Sequence, residues 1–318
     1  MAMSGFPRNH IQTVVAATDL SDTAAAALRW AAAIATDHGA ALHIVHALNL
    51  AGWATDYLMV DATVPAHLEE ATREKLSLLV QESHFQGLDT SWEVVPGEPS
   101  EVVLTAAAAK RSNLIVVGTR GPRGLDYLLL GSTARRVVQR ASCPVVTVHP
   151  QAADQERPVR RILVATDFSD EAESALRVSL DLIEGETAPA ELILLHAYVV
   201  PYDVLPVDGY VSTPAGLQQW QTAQADVEAR LESLARIPQE QGTKVQILGC
   251  EGFPPEVILD KANLETVDLI AMGTRGRTGL SHVLLGSTAE RVIHRAPCPV
   301  LTVRRPHNQD GKGGSHAE

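Results

Sequence analysis

Residues Ile115–Val138 read IVVGTRGPRGLDYLLLGSTARRVV, and Ile270–Val292 repeat them as IAMGTRGRTGLSHVLLGSTAERV. Each copy opens on a short apolar run ending in Gly118 or Gly273 and passes a second glycine, Gly121 or Gly276. It then reaches Gly131-Ser132-Thr133 or Gly286-Ser287-Thr288, with a constant offset of 155 residues between copies. The pattern predicts a buried strand, a glycine loop and a helix start.

Such a loop suits an anion. Glycine admits left-handed backbone that turns successive N–H groups toward one point, and it lets a ligand approach without meeting a Cβ. Ser132-Thr133 and Ser287-Thr288 stand where a helix begins, so hydroxyls and unpaired amides face the same place. Neither copy is G-x-x-x-x-G-K-[ST], so the lysine of the common phosphate loop is missing, and Arg120 and Arg275 are candidates for part of its charge. Two readings stay open at this level: a phosphate cradle, or a structural turn copied with the rest of a duplicated unit.

Working outward, five apolar runs alternate with helical patterns in the first half: Thr13–Thr18, Ala41–Ala47, Ser91–Val95, Leu114–Val117 and Pro144–Val148. Between them fall an alanine-rich helix from Ser21-Asp22 to about Ala35, stopped by Gly39, and an amphipathic helix from about Ala66 to Ser83. Further helices run over Pro99–Lys110 and Thr133–Arg140, while Leu48–Pro65 is an irregular insert. The second half repeats the strands at Ile162–Thr166, Leu192–Ala197, Val245–Gly249, Leu269–Gly273 and Pro299–Val303. Its long amphipathic helix carries Leu217, Trp220, Val227, Leu231 and Leu234 on one stripe, a core-packing pattern. The expected fold class is α/β, two tandem doubly wound five-stranded parallel sheets with right-handed crossovers. Residues 1–150 form the first domain, 151–161 a polar linker, 162–305 the second domain and 306–318 a disordered tail.

In that architecture ligands gather beyond the carboxyl ends of the strands, where neighbouring connections diverge. Asp19 and Asp167 follow the first strand of each half, and His46 and His196 end the second, where core histidines are the first reading.

The 318 residues carry a formal charge of −12, split as 11 basic and 14 acidic residues up to Pro150 and 15 and 24 beyond it. Such a surface disfavours nucleic acid and anionic lipid, so a polyanionic ligand must be small and held locally, with Mg²⁺ to offset its charge. No apolar run reaches the roughly 18 residues of a membrane helix, and the first ten residues lack a signal-peptide core; the cytoplasm is the expected address. Cys143, Cys250 and Cys298 are sparse, and two of them are repeat equivalents in apolar runs, so buried inert thiols are expected.

With these residues in hand, the chain resembles a tandem universal stress protein. The nucleotide-binding subgroup of that family carries G-x2-G-x9-G-[ST], met here by Gly118, Gly121, Gly131-Ser132 and by Gly273, Gly276, Gly286-Ser287. The T-D-x-S-D openings at Thr18-Asp19 and Thr166-Asp167 and the C-P-V endings agree. The resemblance implies ATP binding, with Asp19 and Asp167 beside the ribose and phosphates or holding Mg²⁺. It puts adenine against the backbone of Ala47 and Ala197 and makes Val117 and Met272 walls of the pocket. It also implies that Pro144–Val148 and Pro299–Val303 pair as an internal pseudo-dimer. Further association as a homodimer and an unidentified protein partner in stress adaptation are also expected.

Three functions follow as expectations: a regulatory ATP binder, a slow ATP hydrolase or phosphotransferase, or a scaffold without nucleotide. Each crevice offers an aspartate and an arginine but no base in a motif that fixes its position, which favours the binder. Pro122, Asp126 and Tyr127 of the first loop become Arg277, Ser281 and His282 in the second, so unequal affinities are expected.

Overall fold

The computed structural model describes residues 10–49, 64–119, 130–149, 159–183, 190–199, 214–276 and 285–304. Arg120 and Gly121, the loop differences at 122–127 and 277–282, most of the expected linker and the tail lie outside the described residues.

The first half runs β1 (Thr13–Thr18), α1 (Asp22–His38), β2 (Ala41–Leu48), α2 (Val64–Leu79), β3 (Thr90–Pro96), α3 (Pro99–Ala109), β4 (Leu114–Gly118), α4 (Ser132–Arg140) and β5 (Val145–Val148). The second repeats it as β6 (Arg161–Ala165), α5 (Asp170–Leu182), β7 (Glu191–Tyr198), α6 (Pro214–Glu240), β8 (Lys244–Glu251), α7 (Pro254–Leu264), β9 (Leu269–Gly273), α8 (Ser287–Arg295) and β10 (Val300–Val303). Gly39 ends α1 in the left-handed conformation at φ 59°, three residues later than the alanine pattern suggested. The α2 helix starts at Val64, inside the expected insert, and a short 3₁₀ turn at Ser83–Phe85 follows it.

The strands form one ten-stranded sheet in the order β3-β2-β1-β4-β5-β10-β9-β6-β7-β8. Within each half the neighbours are parallel, and their near-continuous apolar runs match a sheet covered on both faces. The halves meet through the antiparallel pair β5 and β10, which sets Thr147 opposite Val300, Val146 opposite Leu301 and Val145 opposite Thr302. The pseudo-dimer therefore lies within one chain, and its two five-stranded sheets are continuous across the joint. The hydroxyls of Thr147 and Thr302 donate across it to the carbonyls of Val300 and Val145, at 3.3 and 3.1 Å.

Two cores cover the sheet. One face packs α1, α2, α5 and α6, with Leu28, Leu76, Leu176 and Leu231 buried. The other packs α3, α4, α7 and α8 through Val103, Val137, Ile258 and Val292. Three residues of the expected stripe of the long helix meet the core: Leu231 is fully buried, with Val227 and Leu234 packed beside it, while the Leu217 side chain lies outside the described ones. Among the described residues no helix is long and apolar enough to cross a membrane.

Of the three thiols expected to be buried, Cys298 is, while Cys143 and Cys250 are half-buried. Burial pushes Cys143 up to about 11 and Cys298 up to about 12, so both stay protonated at neutral pH.

The helices α4 and α8 also touch across the joint. The backbone N–H of Leu130 donates to Nε2 of His294 at 3.0 Å, and Arg135 pairs with Glu290 at 3.3 Å. That bond requires an unprotonated Nε2. Burial, the largest cause, holds the His294 pKa below its ordinary value; Glu290 pulls it up and Arg135 pushes it down. His46 is shifted the same way by burial, with its bond to the Thr18 carbonyl and the nearby Asp19 opposing. Both groups bind a proton more readily in the unfolded chain. The stability they contribute is whole above about pH 6.5 and declines as pH falls through their folded-state values. The melting temperature should fall from pH 7 to pH 5, and less steeply in His294→Gln, whose amide oxygen accepts the Leu130 bond at any pH.

Candidate functional site

In each half the chain leaves β1 or β6 toward one side of the sheet and β4 or β9 toward the other, so the switch points lie between β1 and β4 and between β6 and β9. At the second switch point a cavity of about 230 Å³ opens. Its lining includes every residue that the second half was expected to contribute: Thr166, Asp167, Ala197, Met272, Gly273, Arg275, Gly276, Gly286, Ser287 and Thr288. Leu195, Pro254 and Ile258 add apolar wall that the motif reading missed, because they come from β7 and α7 rather than from either loop.

A tight turn aims the aspartate. Phe168 has φ 63°, a left-handed conformation unusual for a bulky residue, and its equivalent Leu20 has φ 62°. The Thr166 hydroxyl accepts the Phe168 N–H at 3.0 Å, and Asp167 Oδ1 accepts the Ser169 N–H at 3.1 Å. Ser169 then caps α5 by accepting from Ala172. The first half repeats this with Thr18, Asp19 and Ser21, where Asp19 Oδ1 takes both the N–H and the hydroxyl of Ser21 at 2.9 and 2.5 Å. The cap residue is therefore serine, and the aspartate braces the turn before it. The same left-handed turn therefore stands at the carboxyl end of β1 and of β6, and a second repeated pair, Arg111 and Thr266 at φ 51°, precedes β4 and β9 at the other end of the sheet.

The histidines tie the strand ends together. Nδ1 of His46 meets the Thr18 carbonyl at 3.0 Å and Nδ1 of His196 meets that of Thr166 at 2.7 Å, each locking β2 or β7 to the residue before the aspartate.

Across the crevice, Gly131 and Gly286 are the N-caps of α4 and α8, with no side-chain cap bond. The serine and threonine of each motif are thus the first two helical residues, whose amides have no intrahelical partner. The N–H of Gly131 donates to the Thr119 carbonyl at 2.8 Å and that of Gly286 to Thr274 at 2.9 Å, which fixes each helix start against its strand end.

Of the two expected reasons for the glycines, left-handed backbone and room for close approach, the described ones show the second. Gly131 and Gly286 have φ −56° and −61°, and Gly118, Gly273 and Gly276 are absent from the left-handed set of described glycines. Space is what they supply. A Cβ on Gly273 would stand 2.8 Å from Glu171 Cβ and 3.2 Å from the Ala172 N, and one on Gly276 would stand 2.8 Å from Asp167 Oδ2. Gly118 is less tight, at 3.3 Å from Thr23 Cγ2.

In the first half Thr18, Asp19, Ala47, Val117, Gly118, Gly131, Ser132 and Thr133 fall at the same sheet edge. The register pairs Thr18 with His46, and Gly118 with Val148 beside the start of α4.

Among the described residues no cluster of three or more His, Cys, Asp or Glu side chains is placed to hold a metal. Among the described lining residues of the second cavity Asp167 is the one carboxylate, a donor set that suits Mg²⁺ when phosphate oxygens and water complete its shell.

Two doubly wound halves fused edge to edge, the second with a glycine-lined cavity at its switch point, define a tandem Rossmann-like protein. The Universal stress protein family matches residues 10–149 and 158–304, and the chain belongs to that family. A universal stress protein of Mycolicibacterium smegmatis is 29% identical over 92% of this chain and 96% of its own length. One from Methanocaldococcus jannaschii is 33% identical over 48% of this chain and 87% of its own. The crystal structure of a universal stress protein from Archaeoglobus fulgidus DSM 4304 superposes with a TM-score of 0.68 at 24% identity, over 94% of this chain and 99% of that one; the likeness is one of fold.

Proposed function

We propose that each crevice binds an adenine nucleotide, ATP with Mg²⁺, and that the chain is a regulatory binding protein of the stress response. The observation that carries this reading is the cavity at the β6–β9 switch point, where an apolar wall of Leu195, Ile258 and Met272 faces polar backbone at Gly276 and the start of α8. One side suits a base and the other a phosphate chain. Its volume is below the roughly 300 Å³ at which pockets begin to enclose small ligands, so a bound nucleotide keeps part of its surface in solvent.

Ser287, Thr288 and Arg275 would bind the phosphates, Asp167 would hold the metal, and Ala197 would meet the base through its backbone. In the first half Thr18, Asp19, Ala47, Val117, Gly118, Gly131, Ser132 and Thr133 take the matching roles, with Arg120 and Gly121 of the loop. Bound Mg²⁺ supplies charge neutralisation between phosphate oxygens.

Denaturing freshly purified protein and identifying the released nucleotide tests the reading. ATP retained unchanged through hours with Mg²⁺ is the expected result. Steady conversion to ADP would make the chain a hydrolase, and no nucleotide uptake would leave a scaffold.

A further inference from the structure

The described parts of the two switch points share backbone bonds but differ in a carboxylate contact. Thr274 and Thr119 are repeat equivalents, each buried at 3% and 2% exposure, and each N–H donates to the strand across the joint side, Thr274 to Val303 and Thr119 to Val148. In the second half Oε2 of Glu171 accepts the Thr274 hydroxyl at 2.9 Å and the Arg275 backbone N–H at 2.8 Å. In the first half the residue at the position of Glu171 is Thr23, which carries no carboxylate, and the buried Thr119 hydroxyl has no partner among the described residues.

We propose that Glu171 is a positioning residue, a carboxylate clamp from the first turn of α5 that fixes Thr274 and Arg275, where the chain leaves β9, before any ligand arrives. This rests on the nucleotide reading above and adds the difference between the two sites. A charge-assisted pair of bonds holds Thr274 and Arg275 in one backbone conformation. A ligand that meets Thr274 and Arg275 already fixed costs the chain less conformational freedom on binding, so the second site is the tighter one. The clamp also adds a negative charge against Thr274 and Arg275 of the cavity lining, where the first half has threonine at residue 23. Glu171 therefore makes the second crevice the more dependent on a divalent cation for holding a polyphosphate. The Arg275 N–H is spent on the clamp, which leaves the amides at Gly276 and at the start of α8 to face the ligand.

Backbone amide exchange in the ligand-free chain, read together with titration of ATP in MgCl₂, separates positioning from charge. In Glu171→Ala the Arg275 amide should exchange at least about tenfold faster than in the parent chain, the loss expected for a hydrogen bond to a charged group. Glu171→Gln should stay near the parent, because its amide oxygen accepts both bonds without the charge. One of two ATP binding events should weaken about tenfold in the alanine variant and persist in the glutamine variant. Unchanged exchange at Arg275 in Glu171→Ala overturns the proposal, and so does an equal change of affinity in both variants. If the parent chain takes up no ATP, the nucleotide reading fails while the exchange comparison still decides the clamp.

Discussion

Gly273→Val is expected to reduce the number of bound nucleotides from two to one. The added Cβ stands 2.8 Å from Glu171 Cβ and 3.2 Å from the backbone N of Ala172, so it drives β9 away from the first turn of α5. No flexible side-chain end is there to move aside. Overpacking of this kind costs about 1–3 kcal/mol, and the shift acts on Thr274 and Arg275, the residues that Glu171 holds in place. Isothermal titration with ATP and MgCl₂ should show one site lost and the other at its parent affinity. Gly118→Val should be milder, since its nearest neighbour is the Thr23 methyl at 3.3 Å. Equal effects of the two substitutions would contradict the packing difference between the halves.

Thr302→Pro should lower stability by at least the roughly 1–3 kcal/mol of a buried carbonyl left unpaired, and by more where the ring displaces the strand. Thr302 is buried in β10, a central strand bonded to β9 on one side and β5 on the other. Proline removes a backbone donor from that ladder and is otherwise confined to sheet edges and bulges. It also deletes the hydroxyl bond to Val145 that crosses the joint. Thr302→Val removes only the hydroxyl and should cost about 1 kcal/mol. Urea unfolding of both variants checks this; a proline variant as stable as the valine one would mean that the halves are not joined through β10.

Much of this was legible in the sequence because it is local or periodic. Apolar runs at matched offsets revealed the strands, and the aspartates following Thr18 and Thr166 marked the edge at which β1 and β6 end. The start of α8 was likewise visible in Gly286-Ser287-Thr288. What stayed hidden depends on contacts between distant segments. Glu171 looks like an ordinary acid in the first turn of a helix, and only the fold brings its carboxylate to a loop more than a hundred residues away, at Thr274 and Arg275. The left-handed backbone expected of the loop glycines is found instead at Leu20 and Phe168, residue types that carry no such signal. Pro254 and Ile258 belong to α7, whose pattern reports burial and says nothing of the cavity it borders.

The central claim is that both switch-point crevices hold an adenine nucleotide. A crystal grown with excess ATP and MgCl₂ tests it most directly. The predicted result is a nucleotide at the carboxyl ends of β1 and β6, its phosphates on the amides that begin α4 and α8 and its metal on Asp19 and Asp167. Crevices left without nucleotide at saturating ATP, with side chains closed across Gly131 and Gly286, would contradict it.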